Sequence, residues 1–259
     1  MKLFLILLLS TIGIFCKAEP LEDNSFLVEE AYNQEPGVVQ FIQVYQKQNK
    51  GKDWNYTFIN EIPMGGQADQ FSYEIPYAYI EAVDKTQVGD IKINYRREFV
   101  RSESFVTTGR LSVISNSGDY KLGFGNGAVG YEASLLNSVV INSKWTQHWN
   151  VGAQFVPKSK DALDNTADTS KFFWALSNVY FVTDTFNIML EMTGSSFEEV
   201  LGQDSTTWNQ ENMISPSVRY AYDVGSWQFV PGLALPIGLG NMAGQNQVLG
   251  YLSIEGKMF

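Results

Sequence analysis

The residues that could do chemistry are charged side chains recurring at every second position, each flanked by apolar neighbours. The acidic members are Glu74, Asp90, Glu98, Glu132, Glu191 and Glu255. The basic ones are Lys92, Arg96, Arg110, Arg219 and Lys257. The two signs are nearly balanced. Alternation of this kind places all of them on one wall, because successive side chains of a strand point to opposite faces. Unpaired charges on a narrow, poorly hydrated inner wall are costly, so ion pairs are expected among them. Two roles follow. A paired network fills the interior and fixes strand register, or a constriction of opposed charges orients a permeating solute. The sequence leaves both open.

His148, the only histidine, shares a face with Thr146 and Asn150. A histidine can activate a serine nucleophile when a third group orients it, but no serine lies two residues from His148 on its own strand. A hydrogen-bonded interior histidine is therefore expected, no catalytic residue is assigned, and no enzyme activity is expected. One histidine with one cysteine offers no recognisable metal-ligand cluster, so neither metal nor cofactor is expected. The glycine-rich stretch 118–127 lacks the Lys-Ser/Thr ending of a phosphate loop and reads as a surface loop.

The elements that carry these residues read as strands. Ile91, Ile93, Tyr95 and Phe99 alternate with Asp90, Lys92, Asn94, Arg96 and Glu98, a sorting no helix produces. Segments 54–62, 71–79, 145–155, 186–193 and 214–222 repeat the pattern. Weaker versions occupy 38–46, 106–115, 130–140, 172–183, 227–236 and 248–259. Together they number about twelve, with little chain left for helices. Short links at 141–144, 183–185 and 223–225 alternate with long ones at 116–129, 158–171, 195–212 and 238–247. Short turns on one side and long loops on the other characterise a bacterial outer-membrane barrel. The expected fold is all-β: a transmembrane antiparallel up-and-down β-barrel of about 12 strands, with 10 or 14 as alternatives. Pro76, Pro216 and Pro231 fall inside expected strands and should mark bulges or strand ends. Loop 195–212, with Phe197, Glu198, Glu199, Asp204 and Trp208, is the candidate gating or surface-contact loop.

Export is written at the start of the chain. Lys2, the apolar run from Leu3 to Phe15 and Ala18 before an acidic stretch form a secretory signal, with cleavage expected near Ala18. The run is too short to span a bilayer. Cleavage would remove Cys16, the only cysteine, and leave 16 basic side chains of the 18 against 28 acidic ones. Such an acidic exported chain is a poor candidate for nucleic-acid binding. The organisation expected is a signal peptide at 1–18, an acidic periplasmic segment at 19–36 and a barrel at 37–259. Segment 19–36 could be a plug entering the barrel, but a disordered periplasmic tail is the favoured reading. Partners expected of a Gram-negative outer-membrane barrel are outer-membrane lipid, the barrel-assembly machinery and a small-molecule solute.

Several stretches resemble a family of outer-membrane proteins described as transporters of the phenol meta-degradation pathway. They are Tyr73-Glu74-Ile75-Pro76-Tyr77, Val88-Gly89-Asp90-Ile91-Lys92-Ile93-Asn94-Tyr95-Arg96, Arg110-Leu111-Ser112-Val113 and the glycine-rich Ser117 to Gly127. The resemblance implies a barrel and uptake of small aromatic or otherwise apolar compounds. The function expected is passive passage of such a solute across the outer membrane. The alternatives are a structural or surface-interaction barrel with a filled lumen, and a barrel hydrolase using His148.

Overall fold

The computed structural model describes residues 24–258, and the alternating segments are its strands. In chain order they are β1 (Val38–Gln48), β2 (Trp54–Pro63), β3 (Asp69–Ile80), β4 (Lys85–Val88), β5 (Lys92–Arg101), β6 (Phe105–Ile114), β7 (Gly130–Asn142) and β8 (Trp145–Lys160). There follow β9 (Thr166–Phe181), β10 (Phe186–Gly202), β11 (Ser205–Tyr220), β12 (Tyr222–Val224), β13 (Trp227–Ala234), β14 (Ile237–Gly238) and β15 (Gln247–Lys257). Among the described residues, twelve of these pair antiparallel in a ring that runs from β13 through β15 and β1 to β11. The ring closes where Ser217–Arg219 meets Gly232–Ala234. The short β4, β12 and β14 extend the edges of β3, β13 and β11. Closure satisfies every ladder internally, which is what permits a sheet to cross a membrane. The expected signal peptide and Phe259 lie outside the described residues.

Alternation translates directly into two walls. On β5, Ile93, Tyr95 and Arg97 face outward and are exposed, while Asn94 and Arg96 face inward and are buried. Arg97, which interrupts the oily face, is held by Asp69 at 2.9 Å, and Tyr95 Oη lies 2.5 Å from the same carboxylate. This cluster sits at the short-turn end of the barrel, where an amphipathic side chain reaches water.

Loop lengths depart from expectation in two places. Segments 158–171 and 195–212 are not long loops, because β8–β9 and β10–β11 keep pairing almost to their tips. Only 161–165 and 203–204 remain as turns. The expected gating loop is thus the upper part of a regular hairpin, whose Phe197, Val200, Thr206, Thr207 and Trp208 are residues that favour strands. The long connections at 115–129 and 235–246 remain, and both emerge at the same end. That end is the outer side of an outer-membrane barrel.

The prolines sit where a strand changes partner. Pro76 falls between the part of β3 that pairs β5 and the part that pairs β4. Pro216 separates the β14 contact of β11 from its β13 contact. Pro231 precedes the point at which β13 begins to pair β11. Each missing N–H therefore coincides with a gap in the ladder.

Aromatic side chains mark two belts on the outer wall. Trp145 packs edge-on to Tyr180, and Tyr220, Tyr222 and Phe229 stack in series at the short-turn end. Phe172 stacks on Trp208 and Trp54 on Tyr79 at the long-loop end. Along β9 the belts stand eight residues apart, roughly 26 Å of strand at about 3.3 Å per residue. With barrel tilt this suits an apolar band about 25 Å tall flanked by aromatic girdles. Leu176 lies midway on that outward face. Replacing it by arginine should cost about 2–4 kcal/mol in urea unfolding from lipid vesicles, against about 0–1 kcal/mol for Tyr180→Arg near the interface.

Candidate functional site

The lumen is occupied by the chain's own N-terminal segment. The disordered tail favoured from sequence is not what residues 24–34 form. They cross the barrel near its short-turn end, buried except for partial exposure at Leu27 and Glu29. Their backbone is held by side chains from successive walls. Leu27 N–H donates to Glu191 on β10 (2.7 Å), Glu29 N–H to Asn150 on β8 (2.9 Å) and Ala31 N–H to Ser138 on β7 (2.8 Å). Asn33 N–H donates to Glu98 on β5 (2.8 Å) and Gln34 N–H to Gln70 on β3 (2.8 Å). Carbonyls are met as well. Arg219 donates to Asn24 O (2.8 Å), Thr108 to Ala31 O, and Arg96 to the carbonyls of Glu30 and Tyr32 (2.7 and 3.0 Å).

An extended segment cannot satisfy its own backbone, and a buried unpaired amide or carbonyl costs about 1–3 kcal/mol. The wall supplies those partners. Phe26 anchors the entry of the segment: its ring stacks on Tyr251 at 4.6 Å within a cluster including Ile42, Val179, Met189 and Leu249. Gly232 makes room, since a Cβ there would collide with the Phe26 ring.

Beyond the plug, toward the long-loop end, the charges form one network. Arg110 pairs with Glu29 of the plug and with Glu132 at 2.5 Å, and lies 4.0 Å from Glu74. Lys92 stands 3.5 Å from Glu132 and 3.8 Å from Glu74. Arg96 reaches Glu61 at 3.6 Å and Glu29 at 4.0 Å. Two cavities adjoin this network above the plug. One, of about 280 Å³, is bounded by Lys92, Arg110, Lys171, Phe173, Met213 and Leu27. The other, of about 150 Å³, lies between Phe26, Glu29, Ile59, Glu61, Glu74 and Arg110. Arg110 and Leu27 border both.

The inward positions read from sequence thus divide by role. Glu74, Lys92, Arg110 and Glu132 meet in the network, Glu98, Glu191 and Arg219 hold the plug, and Arg96 does both. Asp90 does neither. It lies between β4 and β5, where its carboxylate accepts from Gly118 N–H (2.8 Å) and Asn126 N–H (2.7 Å) and so folds the glycine-rich loop. Glu29 and Glu61, central here, were not among the sequence candidates. Glu61 was legible as an inward residue of β2, but Glu29 belongs to a segment without alternation. His148 Nδ1 lies 2.7 Å from Ser138 Oγ, a serine from the neighbouring strand that sequence spacing could not reveal. That hydroxyl also accepts Ala31 N–H, so the pair is spent on the plug.

The long loop is pinned outside the barrel. Lys121 Nζ lies 2.8 Å from Asp164 in the β8–β9 turn, and Tyr120 Oη bonds the same carboxylate. The Lys121 hydrogen bond, then that of Tyr120, holds the Asp164 carboxyl below its ordinary range, while the same Asp164 bond raises Lys121. A depressed carboxyl contributes above its unfolded pKa and loses that contribution as pH falls through its folded one. Amide protection factors in 115–129, exchange rates divided into their intrinsic values at each pH, should therefore be unchanged from neutral pH to the ordinary carboxylate range and fall only below it. Asp164→Asn should abolish that acid step.

No family model matches the chain, and no curated protein matches it. Solved structures do. The chain is similar to an outer-membrane channel from Pseudomonas putida F1, at 10% identity and a TM-score of 0.67 over 87% of this chain and 97% of that one. It is also similar to the NanC porin (9% identity, TM-score 0.57, 84% of this chain and 100% of that one). A third likeness is to the KdgM porin (9% identity, TM-score 0.56, 85% and 99%). At such identities the likeness is one of fold, and by fold this chain is an outer-membrane β-barrel.

Proposed function

We propose that the protein is a gated outer-membrane channel for passive passage of a small, aromatic or otherwise apolar solute. The observation that carries this reading is the lumen itself. A cavity of about 280 Å³ lined by Phe173, Met213 and Leu27 as well as by charges stands above a barrier that is noncovalent. A purely structural barrel gains nothing from a barrier made of a separate segment rather than of wall side chains. Small-molecule sites combine an apolar lining with a few placed polar groups, as this vestibule does. The name of the Pseudomonas outer-membrane channel supports the channel part of this reading, and the resemblance to phenol-pathway transporters supports the solute class. Planar-bilayer conductance of the refolded protein, with and without small aromatic solutes, tests it. A barrel that stays silent even without residues 24–34 would leave the surface-interaction reading instead.

A further inference from the structure

We propose that Glu29 is a tethered stand-in for the solute, and that the solute is a small carboxylate with an apolar body. This rests on the channel reading and names the substrate class of the same vestibule.

Three observations converge on it. Among the described residues, Glu29 of the plug pairs with Arg110 and Arg96 of the network, whereas Glu61, Glu74 and Glu132 belong to the wall. Its guanidinium partners are built in, with the side chains of Arg110 and Arg96 only 6% and 1% exposed, whereas that of Glu29 is 34% exposed. The cations are thus fixed, and the carboxylate they hold is the part open to replacement. Lys171 also faces the larger cavity, over the Phe197 ring at 5.8 Å, and forms no ion pair among the described residues. Lys92, Arg96, Arg110 and Lys171 thus face three deep wall carboxylates, with Glu211 at the exposed rim. In the resting barrel Glu29 places a plug carboxylate on Arg110 and Arg96 beside this cavity.

The cavity walls give the body of the molecule. Phe173, Met213 and Leu27 on one side of Arg110, with Phe26 and Ile59 on the other, suit an apolar or aromatic group rather than a sugar. Arginine favours carboxylate because its planar fork matches the two oxygens. A carboxylate arriving from the long-loop end can take the Arg110 position from Glu29. The plug then loses its ion pairs to Arg110 and Arg96 and is left to its hydrogen bonds with the wall, including those to Glu191, Glu98, Arg96 and Arg219. Binding and opening become one event, and neutral aromatics would lack the group that triggers it.

Benzoate and its neutral analogue benzyl alcohol are suitable probes, titrated calorimetrically into the refolded full chain and into Glu29→Gln. If Glu29 occupies the site about nine-tenths of the time, removing its charge should tighten benzoate about tenfold and leave benzyl alcohol unchanged. Glu35→Gln, the same charge change at an exposed position, should leave both unchanged. Glu29→Ala provides the second variant should the amide fold poorly. Unchanged benzoate affinity in both Glu29 variants, an equal gain for benzyl alcohol, or an equal gain in Glu35→Gln would each overturn the proposal. Conductance of the same samples keeps the two readings apart. Openings without carboxylate preference would remove the stand-in and keep the channel, whereas silence in every variant and in the plug deletion would remove the channel.

Discussion

A barrel refolded without residues 24–34 should pass current on the order of tenfold or more above the full chain, because a block populated above about 90% of the time conceals that fraction of the conductance. The segment spans the lumen from Arg219 on β11 to Gln70 on β3, and no other described segment crosses it at that level. Removing it exposes Glu191, Asn150, Ser138 and Glu98, which can bind water, beside the apolar patch that Phe26 covers at Ile42, Val179 and Leu249, so the deletion should open a path hydrated along its polar side. A reversible form of the same experiment uses Ser25 and Ser177, whose Oγ atoms lie 2.7 Å apart. Cysteines at both positions, in a chain without Cys16, should form a disulfide, since the two side-chain tips already meet. Oxidation should then suppress solute-induced openings, and reduction should restore them. Equal conductance in the deletion and the full chain would show that residues 24–34 are not the barrier.

How much of this was legible in the sequence depends on the periodicity each part leaves behind. The strands were legible because one wall meets lipid and the other does not: Ile93 and Tyr95 could not exchange places with Asn94 and Arg96. The network was legible for the same reason, since Lys92, Arg96, Arg110 and Glu132 all sit on alternating strands. The plug was not. Residues 24–34 bury backbone rather than a periodic face, and the groups that receive it are neutral side chains (Ser138, Asn150, Gln70, Thr108) and charged ones (Glu191, Glu98, Arg219) that look alike in sequence whether they bind water, an ion or a peptide. An acidic segment with no basic residue reads as solvated, because its compensating arginines lie 60 and more residues away on β5, β6 and β11. Hairpins β8–β9 and β10–β11 were cut short for a related reason. Once strands rise above the lipid, their outer face becomes polar and the alternation that betrays a strand disappears, although the ladder continues.

Arg96→Ala should be the most destabilising single substitution in the lumen, lowering stability by about 3–5 kcal/mol in urea unfolding from lipid vesicles. The guanidinium side chain is 1% exposed, so solvent screens it little. Its loss strands the Glu61 carboxylate, itself 5% exposed, and takes a donor from the carbonyls of Glu30 and Tyr32. Burying a charge without its partner is the costly half of such a pair, and replacing both members by neutral groups recovers much of it. Arg96→Met combined with Glu61→Gln should therefore be more stable than the sum of the two single losses implies, with a coupling above about 1 kcal/mol. The outcome also decides how wet the network is. In a water-filled vestibule the same pair would behave as a surface ion pair, worth about 0–1 kcal/mol, and the double variant would be additive. A small, additive loss would mean that the cavities beside Arg110 extend as water to Arg96. A large, coupled one would mean that the plug and the inner faces of β2 and β5 seal a dry centre around Arg96, so that passage requires both the plug and this pair to give way.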